Sequence, residues 1–179
     1  VVMTAMAWSL RGKGPSPWWA TLTLAWVIAQ GAFGALTVTM KLYPAIVTLH
    51  LLGGIGLLVL LAVQDQVFVP RPARLSKALS IGAWITAALV VVQIALGGWV
   101  STNYAALACG NDFPKCVGQW WPPHNFAEGF VLWRGIGVDY EGGVLDGPAR
   151  VAIQLAHRVM ALVVFGHLLF VGLRMVFTH

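Results

Sequence analysis

The composition of this chain of 179 residues is that of a membrane protein. Hydrophobic residues make up 59% of it, charged residues only 9%, and the mean hydropathy is +0.79, whereas about a quarter of a typical soluble domain is charged. The formal net charge of +5 does not indicate nucleic-acid binding, because the Lys and Arg residues flank apolar runs and form no basic face. We therefore expect an all-α transmembrane helical bundle with a lipid bilayer, and no nucleic acid, as its surroundings.

The chain begins with one short apolar stretch and two long ones. Residues 1–10 are too few to span a bilayer, which takes about 20 residues, so we interpret 1–14 as the tail of a preceding helix followed by a cytoplasmic turn. Residues 18–40 and 45–63 are long enough to span and form the first two predicted helices. The segment between them, 41–44, is so short that these helices must be antiparallel neighbours.

Two further spans are predicted in the second part of the chain. A polar, proline-containing linker at 64–77 leads to the third span at 78–100. A long loop of mixed polarity, 101–148, leads to the fourth span at 149–177. The sequence therefore predicts four spans and one large loop.

Basic residues are distributed unequally between the two ends of the spans. Four lie at the end that carries the large loop, and six lie at the other end. The six are Arg11, Lys13, Arg71, Arg74, Lys77 and Arg174. Because Lys and Arg are in excess on the cytoplasmic side, we predict a multi-pass protein whose large loop faces outward, which is the periplasmic side if the membrane is a bacterial inner (plasma) membrane.

The large loop carries both cysteines of the chain, Cys109 and Cys116, with Pro114 between them. In an oxidising compartment two cysteines this close can form a small ring, so the sequence favours a disulfide, either structural or redox-active. A metal site with His124 is an alternative, although the spacing exceeds the roughly two to four residues usual in zinc loops. Reduced thiols are the third possibility.

Two histidines lie inside predicted spans at similar depth. At a rise of about 1.5 Å per residue, His50 lies about 9 Å and His157 about 13 Å from the outer ends of their helices. An ionisable residue at such depth usually faces the bundle interior and has a partner. Each histidine could be hydrogen-bonded to a neighbouring helix, or it could be an axial ligand of haem iron. We interpret His167 as structural and His179 as a chain-end residue.

Arg158 favours the haem interpretation. An arginine inside a span is costly and no acidic residue lies near it in the helix, whereas haem propionates would supply an anion through bidentate contacts. Arg150 is a second propionate candidate, and Gln154 shares the helical face of His157 and could orient its ring or contact a porphyrin edge. The alternative for Arg158 is an ion pair with an acid of the loop: Asp139, Glu141 or Asp146.

Several motifs resemble those of the haem A synthase family, in its proteobacterial form. They are LGGWVSTNYAALAC at 96–109, DFPKC at 112–116, GQWWP at 118–122, GALTV at 34–38, VTLHLLGG at 47–54 and AHR at 156–158. Members of this family have eight spans arranged as two similar four-helix halves, and this chain resembles the middle four. On that basis 15–77 would close the substrate-haem half and 78–179 would open the cofactor-haem half.

The resemblance implies an enzyme that oxidises the C8 methyl of haem O to a formyl group by successive hydroxylations, with oxygen from water. The product, haem A, serves cytochrome c oxidase. The resemblance implies haem O as substrate and haem b as cofactor. The implied partners are haem O synthase, the assembly of cytochrome c oxidase and an electron acceptor, and a homo-oligomer is possible. His50 would be an iron ligand on the substrate-haem side and His157 a ligand of haem b, each without the second histidine found in the family. The cysteine pair would brace the cofactor half.

Other functions remain open at this point. A dihaem b-type membrane electron carrier would need the same two histidines, and a non-catalytic oxidase assembly subunit would need neither as a ligand. A membrane thiol oxidoreductase would need a second cysteine pair, which this chain lacks. A genuine four-span protein that dimerises to complete each site is a further alternative to the middle part of a longer enzyme.

Overall fold

The computed structural model describes residues 1–69 and 76–178, except for the side chain of Thr178. These residues form helices and loops, without a sheet. The helices are α1 (Val2–Ser9), α2 (Trp18–Thr39), α3 (Pro44–Phe68), α4 (Lys77–Thr102), α5 (Phe126–Gly129) and α6 (Gly147–Thr178). In the described part of the chain, α2, α3, α4 and α6 are long and apolar enough to cross a membrane. The predicted all-α membrane bundle with four spans is confirmed.

The helices α2 and α3 form an antiparallel pair. Trp26 of α2 donates its indole N–H to the carbonyl of Gly53 in α3 at 2.8 Å, and the pairing continues towards the other end of both helices. The turn between them places Lys41 and Leu42 at φ of 50° and 60°, and Pro44 then occupies the first turn of α3, where its missing N–H costs nothing. The short connection predicted from the sequence thus makes a tight reversal.

The helix α3 extends beyond the predicted end of the second span at 63. The polar residue that suggested a linker, Gln64, is buried, and its amide donates to Oγ1 of Thr23 at 2.6 Å and to the carbonyl of Trp19 at 3.3 Å. An amide whose donors are satisfied by a neighbouring helix does not end a helix. Residues 70–75, including Arg71 and Arg74, lie outside the described residues, as does His179.

The four long helices pack in chain order, and α4 contacts both α3 and α6. Contact between α3 and α4 is close at Gly98, where a methyl group would lie 2.9 Å from a methyl carbon of Leu51. The short helices lie at the periphery, α1 against α2 and α5 against α6. The long helices therefore form two pairs, α2 with α3 and α4 with α6, and the pairs meet where α4 contacts α3.

The buried core lies at the loop end of the bundle. It joins the start of α3, the end of α4, the start of α6 and the large loop; its members are Tyr43, Ala45, Ile46, Trp99, Val100, Ala105, Tyr140, Leu145, Ala149 and Ile153. Trp99 also donates its indole N–H to the carbonyl of Gly129 at 2.8 Å. In contrast, no residue of α2 is buried, as expected for a helix whose apolar surface faces lipid. The large loop therefore folds onto the helix ends as part of the core.

Candidate functional site

The predicted disulfide is present. Cys109 and Cys116 are bonded, with a Cα–Cα distance of 4.4 Å, and each is about 1% exposed. Both cysteines form a buried cluster with Val151 and Leu155 of α6. In residues 1–69 and 76–178 no group of three or more His, Cys, Asp or Glu side chains is arranged to hold a metal ion.

Arg158 fastens this disulfide ring to α6. Its Nη1 donates to the carbonyls of Asp112 and Lys115, both at 2.9 Å, and its guanidinium lies 5.9 Å from the centre of the Phe113 ring. All three of these residues lie between the two cysteines in sequence. The loop therefore runs down the side of α6 and supplies backbone acceptors to an arginine that the sequence places inside a span.

Two of the three acids considered as partners of Arg158 accept hydrogen bonds from backbone N–H groups instead. Asp146 accepts a hydrogen bond from the backbone N–H of Ala149 at 2.8 Å, at the start of α6. Asp139 accepts one from the backbone N–H of Glu141 at 3.0 Å. Among the residues that the structure describes, none of the three forms an ion pair with Arg158. Contact between Arg158 and a haem propionate stays a prediction.

The two other predicted pocket residues of α6 lie close to the loop and to His157. Arg150 donates through Nε to the carbonyl of Leu145 at 2.8 Å, so it holds the last part of the loop to the helix. Gln154, three residues before His157, has a buried Oε1 that accepts no hydrogen bond from the described residues. Their roles toward a haem remain predictions.

His157 of α6 faces α4. The Nε2 atom of Gln93 lies 3.1 Å from Nδ1 and 3.3 Å from Nε2 of the imidazole, and 3.4 Å from the carbonyl oxygen of His157. The ring lies against Gly97, where a methyl group would be 3.3 Å from Cε1 of His157. A glycine at this position thus leaves room for the imidazole between the two helices.

His50 of α3 faces α2 in the same manner. A methyl group on Gly34 would lie 3.3 Å from Cε1 of His50, and Gln30 donates its amide N–H to the carbonyl of His50 at 3.3 Å. The Nδ1 atom of His50 is buried and has no hydrogen-bond partner in the described residues. An imidazole nitrogen in this state suits coordination to a ligand.

Two apolar grooves are lined by residues near His50 and His157 in sequence, although neither histidine is itself part of the lining. The first has a volume of about 390 Å³ and is lined by Leu22, Ala25, Trp26, Ala29, Gln30, Phe33, Leu49 and Gly53. The second has a volume of about 310 Å³ and is lined by Leu96, Trp121, Phe126, Leu155, Ala156, Val159, Met160 and Val163. A mainly apolar groove fits the macrocycle of a haem, which is apolar, and haem iron takes a histidine nitrogen as a ligand.

The whole chain, residues 1–179, matches the family described as COX15-CtaA, cytochrome oxidase assembly protein. The chain belongs to this family. It is also 40% identical over 153 residues to a Shewanella oneidensis protein described as "Heme A synthase". That alignment covers 83% of this chain and 46% of the relative, so the chain spans about half the length of the curated relative it matches. No solved structure matches it. The family resemblance read from the motifs is confirmed.

His167 and His124 of this COX15-CtaA member have other surroundings. His167 lines a third apolar groove of about 430 Å³ between α4 and α6, together with Gly82 and Phe170. His167 lies 3.2 Å through Nε2 from the carbonyl of Gly82 in α4, which agrees with the structural role expected for it. His124 lies 2.8 Å through Nδ1 from the carbonyl of Pro122. Its ring contacts Trp121 and Phe126.

Sequence reasoning missed the glutamines that contact His50 and His157. The signal was present as a repeated spacing, because Gln30 precedes Gly34 by four residues and Gln93 precedes Gly97 by four residues. Residues four apart lie on one face of a helix. The repeat is therefore visible in the sequence, but which histidine each glutamine meets depends on the packing of the helices.

Proposed function

We propose that this chain forms part of a haem A synthase, which oxidises the C8 methyl of haem O to a formyl group for cytochrome c oxidase. Membership of the COX15-CtaA family and identity to a "Heme A synthase" support this reaction class. The observation that carries the proposal is the pair of imidazoles, each set against a glycine of the preceding long helix.

The two histidines have different partners in this proposal. His50 holds the iron of the substrate haem O and His157 holds the iron of haem b, each together with a ligand from outside this chain. Bound haem supplies reversible one-electron chemistry at its iron. The apolar side chains of the two grooves keep water from the macrocycle, and the helix pairs fix the direction of each imidazole.

The loop side of the chain supports the cofactor haem. Arg158 and Arg150 provide guanidinium groups for propionates, and the guanidinium of Arg158 keeps donors beyond the Nη1 used on the loop. The disulfide of Cys109 and Cys116 braces this surface against α6. In this proposal the protein lies in a bacterial inner membrane with this loop in the periplasm, and the excess of basic residues at the opposite end supports this orientation. Its partners are haem O synthase, the assembly of cytochrome c oxidase and an electron acceptor.

Coexpression with haem O synthase tests the reaction. Extracted haem from membranes with the wild-type protein should contain haem A, and His50→Ala and His157→Ala should each lower it at least tenfold. His167→Ala is the matched control, because His167 is a membrane histidine bonded to a helix carbonyl. Bound haem without any haem A would favour a dihaem electron carrier, and a purified protein without haem would favour a non-catalytic assembly subunit.

A further inference from the structure

Two helix pairs of this protein seat their histidines in the same way. In the pair α2 and α3, Gln30 donates to the carbonyl of His50 at 3.3 Å, and Gly34, one turn further, lies against Cε1 of His50. In the pair α4 and α6, the matching Gln93 reaches the carbonyl of the matching histidine at 3.4 Å. The closest approach of a methyl group on the glycine to Cε1 is 3.3 Å in both pairs. The unit therefore consists of a glutamine, a glycine four residues later and a histidine on the next long helix.

Each glutamine also carries an unused acceptor. The Oε1 atoms of Gln30 and Gln93 are buried and accept no hydrogen bond in the described residues. A buried polar atom without a partner is unfavourable in an apolar bundle. In the α2 and α3 pair, the Nδ1 atom of His50 is likewise buried and unpaired. Each unit thus contains a histidine ring nitrogen that can carry a proton and a glutamine amide oxygen that can accept a hydrogen bond from it.

A ligating histidine needs such an acceptor. One ring nitrogen must offer its lone pair to iron, so the proton of a neutral imidazole is on the other nitrogen, and that N–H is nearly always bonded to an oxygen. For His157 the end of the Gln93 side chain is already 3.1 Å from Nδ1. A half turn of the amide exchanges its nitrogen and oxygen with little other movement. The oxygen then lies about 3.1 Å from Nδ1 and 3.3 Å from Nε2, so the side chain must also shift toward Nδ1 to leave Nε2 for iron.

We propose that Gln30 and Gln93 are positioning residues whose side-chain carbonyls accept the ring N–H of His50 and His157 when the other ring nitrogen binds iron. The proposal rests on the proposed function, because it takes both histidines as haem ligands. Such a hydrogen bond makes the imidazole a stronger electron donor, which stabilises ferric over ferrous iron and lowers the midpoint potential of the haem. The same unit then sets ligand direction and potential at two sites.

Redox titration of the purified protein, followed by visible and EPR spectroscopy, tests this role. Gln93→Leu should keep haem b, raise its midpoint potential and change its low-spin g-values. Gln30→Leu should alter only the haem bound at His50. The matched control is Gln64→Leu, since Gln64 is a buried glutamine between α2 and α3 that donates to Thr23 and contacts no histidine. It should move neither potential.

Two results separate hydrogen bonding from helix packing. If Gln93→Leu destabilises the protein as Gln64→Leu does but leaves the potential and g-values of haem b unchanged, the glutamine only joins helices and the proposal is overturned. If Gln93→Leu loses haem, the variant Gln93→Glu distinguishes the two roles, because its carboxyl group keeps an acceptor oxygen. Haem b that is retained in Gln93→Glu without a raised midpoint potential supports the proposal. Loss of haem b in this variant too overturns it. Wild-type protein without haem would overturn the proposed function as well.

Discussion

Arg158 shows how an arginine inside an apolar helix can be satisfied by backbone. The sequence suggested that it needs an anion, from a haem or from an acid of the loop. In the structure, Nη1 takes two carbonyl oxygens of the disulfide ring. Peptide carbonyls are strong acceptors that no residue pattern reveals. The contact between Arg158 and the loop therefore could not be predicted from the sequence, although the disulfide between the two cysteines was.

Replacing Arg158 by Ala should free the disulfide ring from α6. Two hydrogen bonds with a charged donor are lost, and two loop carbonyls lose their partner. At roughly 1.5 to 3 kcal/mol per bond, this loss should make detachment of the loop from α6 less unfavourable. We expect at least tenfold faster reduction of the Cys109–Cys116 bond by a water-soluble phosphine, measured by thiol labelling. Arg174→Ala, which changes an arginine of α6 that lies 5.7 Å from the Phe170 ring, should leave the rate unchanged. Equal rates in all three proteins would show that Arg158 does not hold the ring.

At the scale of elements, the large loop is clamped to the turn between α2 and α3. The hydroxyl of Tyr43 accepts from the backbone N–H of Arg134 at 2.6 Å. Tyr140 donates its hydroxyl to the carbonyl of Gly135 at 2.7 Å and its backbone N–H to the carbonyl of Lys41 at 3.1 Å. Both tyrosines are about 2% exposed, and their rings meet edge to face at 5.2 Å. This clamp connects one helix pair to the loop of the other.

The clamp should weaken at high pH because of Tyr140. Burial raises the pKa of its phenol, the neighbouring Tyr43 raises it further, and Arg134 opposes both. A raised pKa in the folded state means that the neutral phenol stabilises the fold fully below the unfolded pKa of about 10. That contribution is lost as the pH rises through the folded value.

Thermal unfolding in detergent between about pH 8 and 11 checks this expectation. Tyr140→Phe should cost about 1 kcal/mol at neutral pH, because the hydrogen bond to Gly135 is lost, and should flatten the decline at alkaline pH. Tyr104→Phe is the control, since Tyr104 is 41% exposed, and it should keep the wild-type profile. An alkaline decline that is as steep in Tyr140→Phe as in wild type would assign the effect to another group.

The sequence predicted helix existence better than helix ends and loop structure. Long apolar runs identified all four spans, because a bilayer demands about 20 predominantly apolar residues; only the fourth run contains charged residues. The end of α3 was placed too early, since Gln64 reads as polar but is satisfied by Thr23 of another helix. The positions of His50 and His157 within long apolar helices could be predicted from the sequence, whereas their contacts with Gln30 and Gln93 required knowing which helices are neighbours.

At the scale of the whole molecule, the described chain consists of two similar helix pairs joined through α4 and covered at one end by the loop core. In each pair one imidazole lies against a glycine of the partner helix. The two sites therefore have the same construction, but only the site of His157 lies next to the disulfide ring, through Arg158. This asymmetry fits different haems at the two positions, one as substrate and one as cofactor.

Haem analysis of histidine variants tests this central claim most directly. The protein is purified from cells that also make haem O, and its haems are extracted, separated by chromatography and quantified beside the pyridine haemochrome. The account predicts that His157→Ala loses haem b and keeps haem O, and that His50→Ala loses haem O and haem A and keeps haem b. Variants that both keep the wild-type haems, or both lose the same haem, would contradict it.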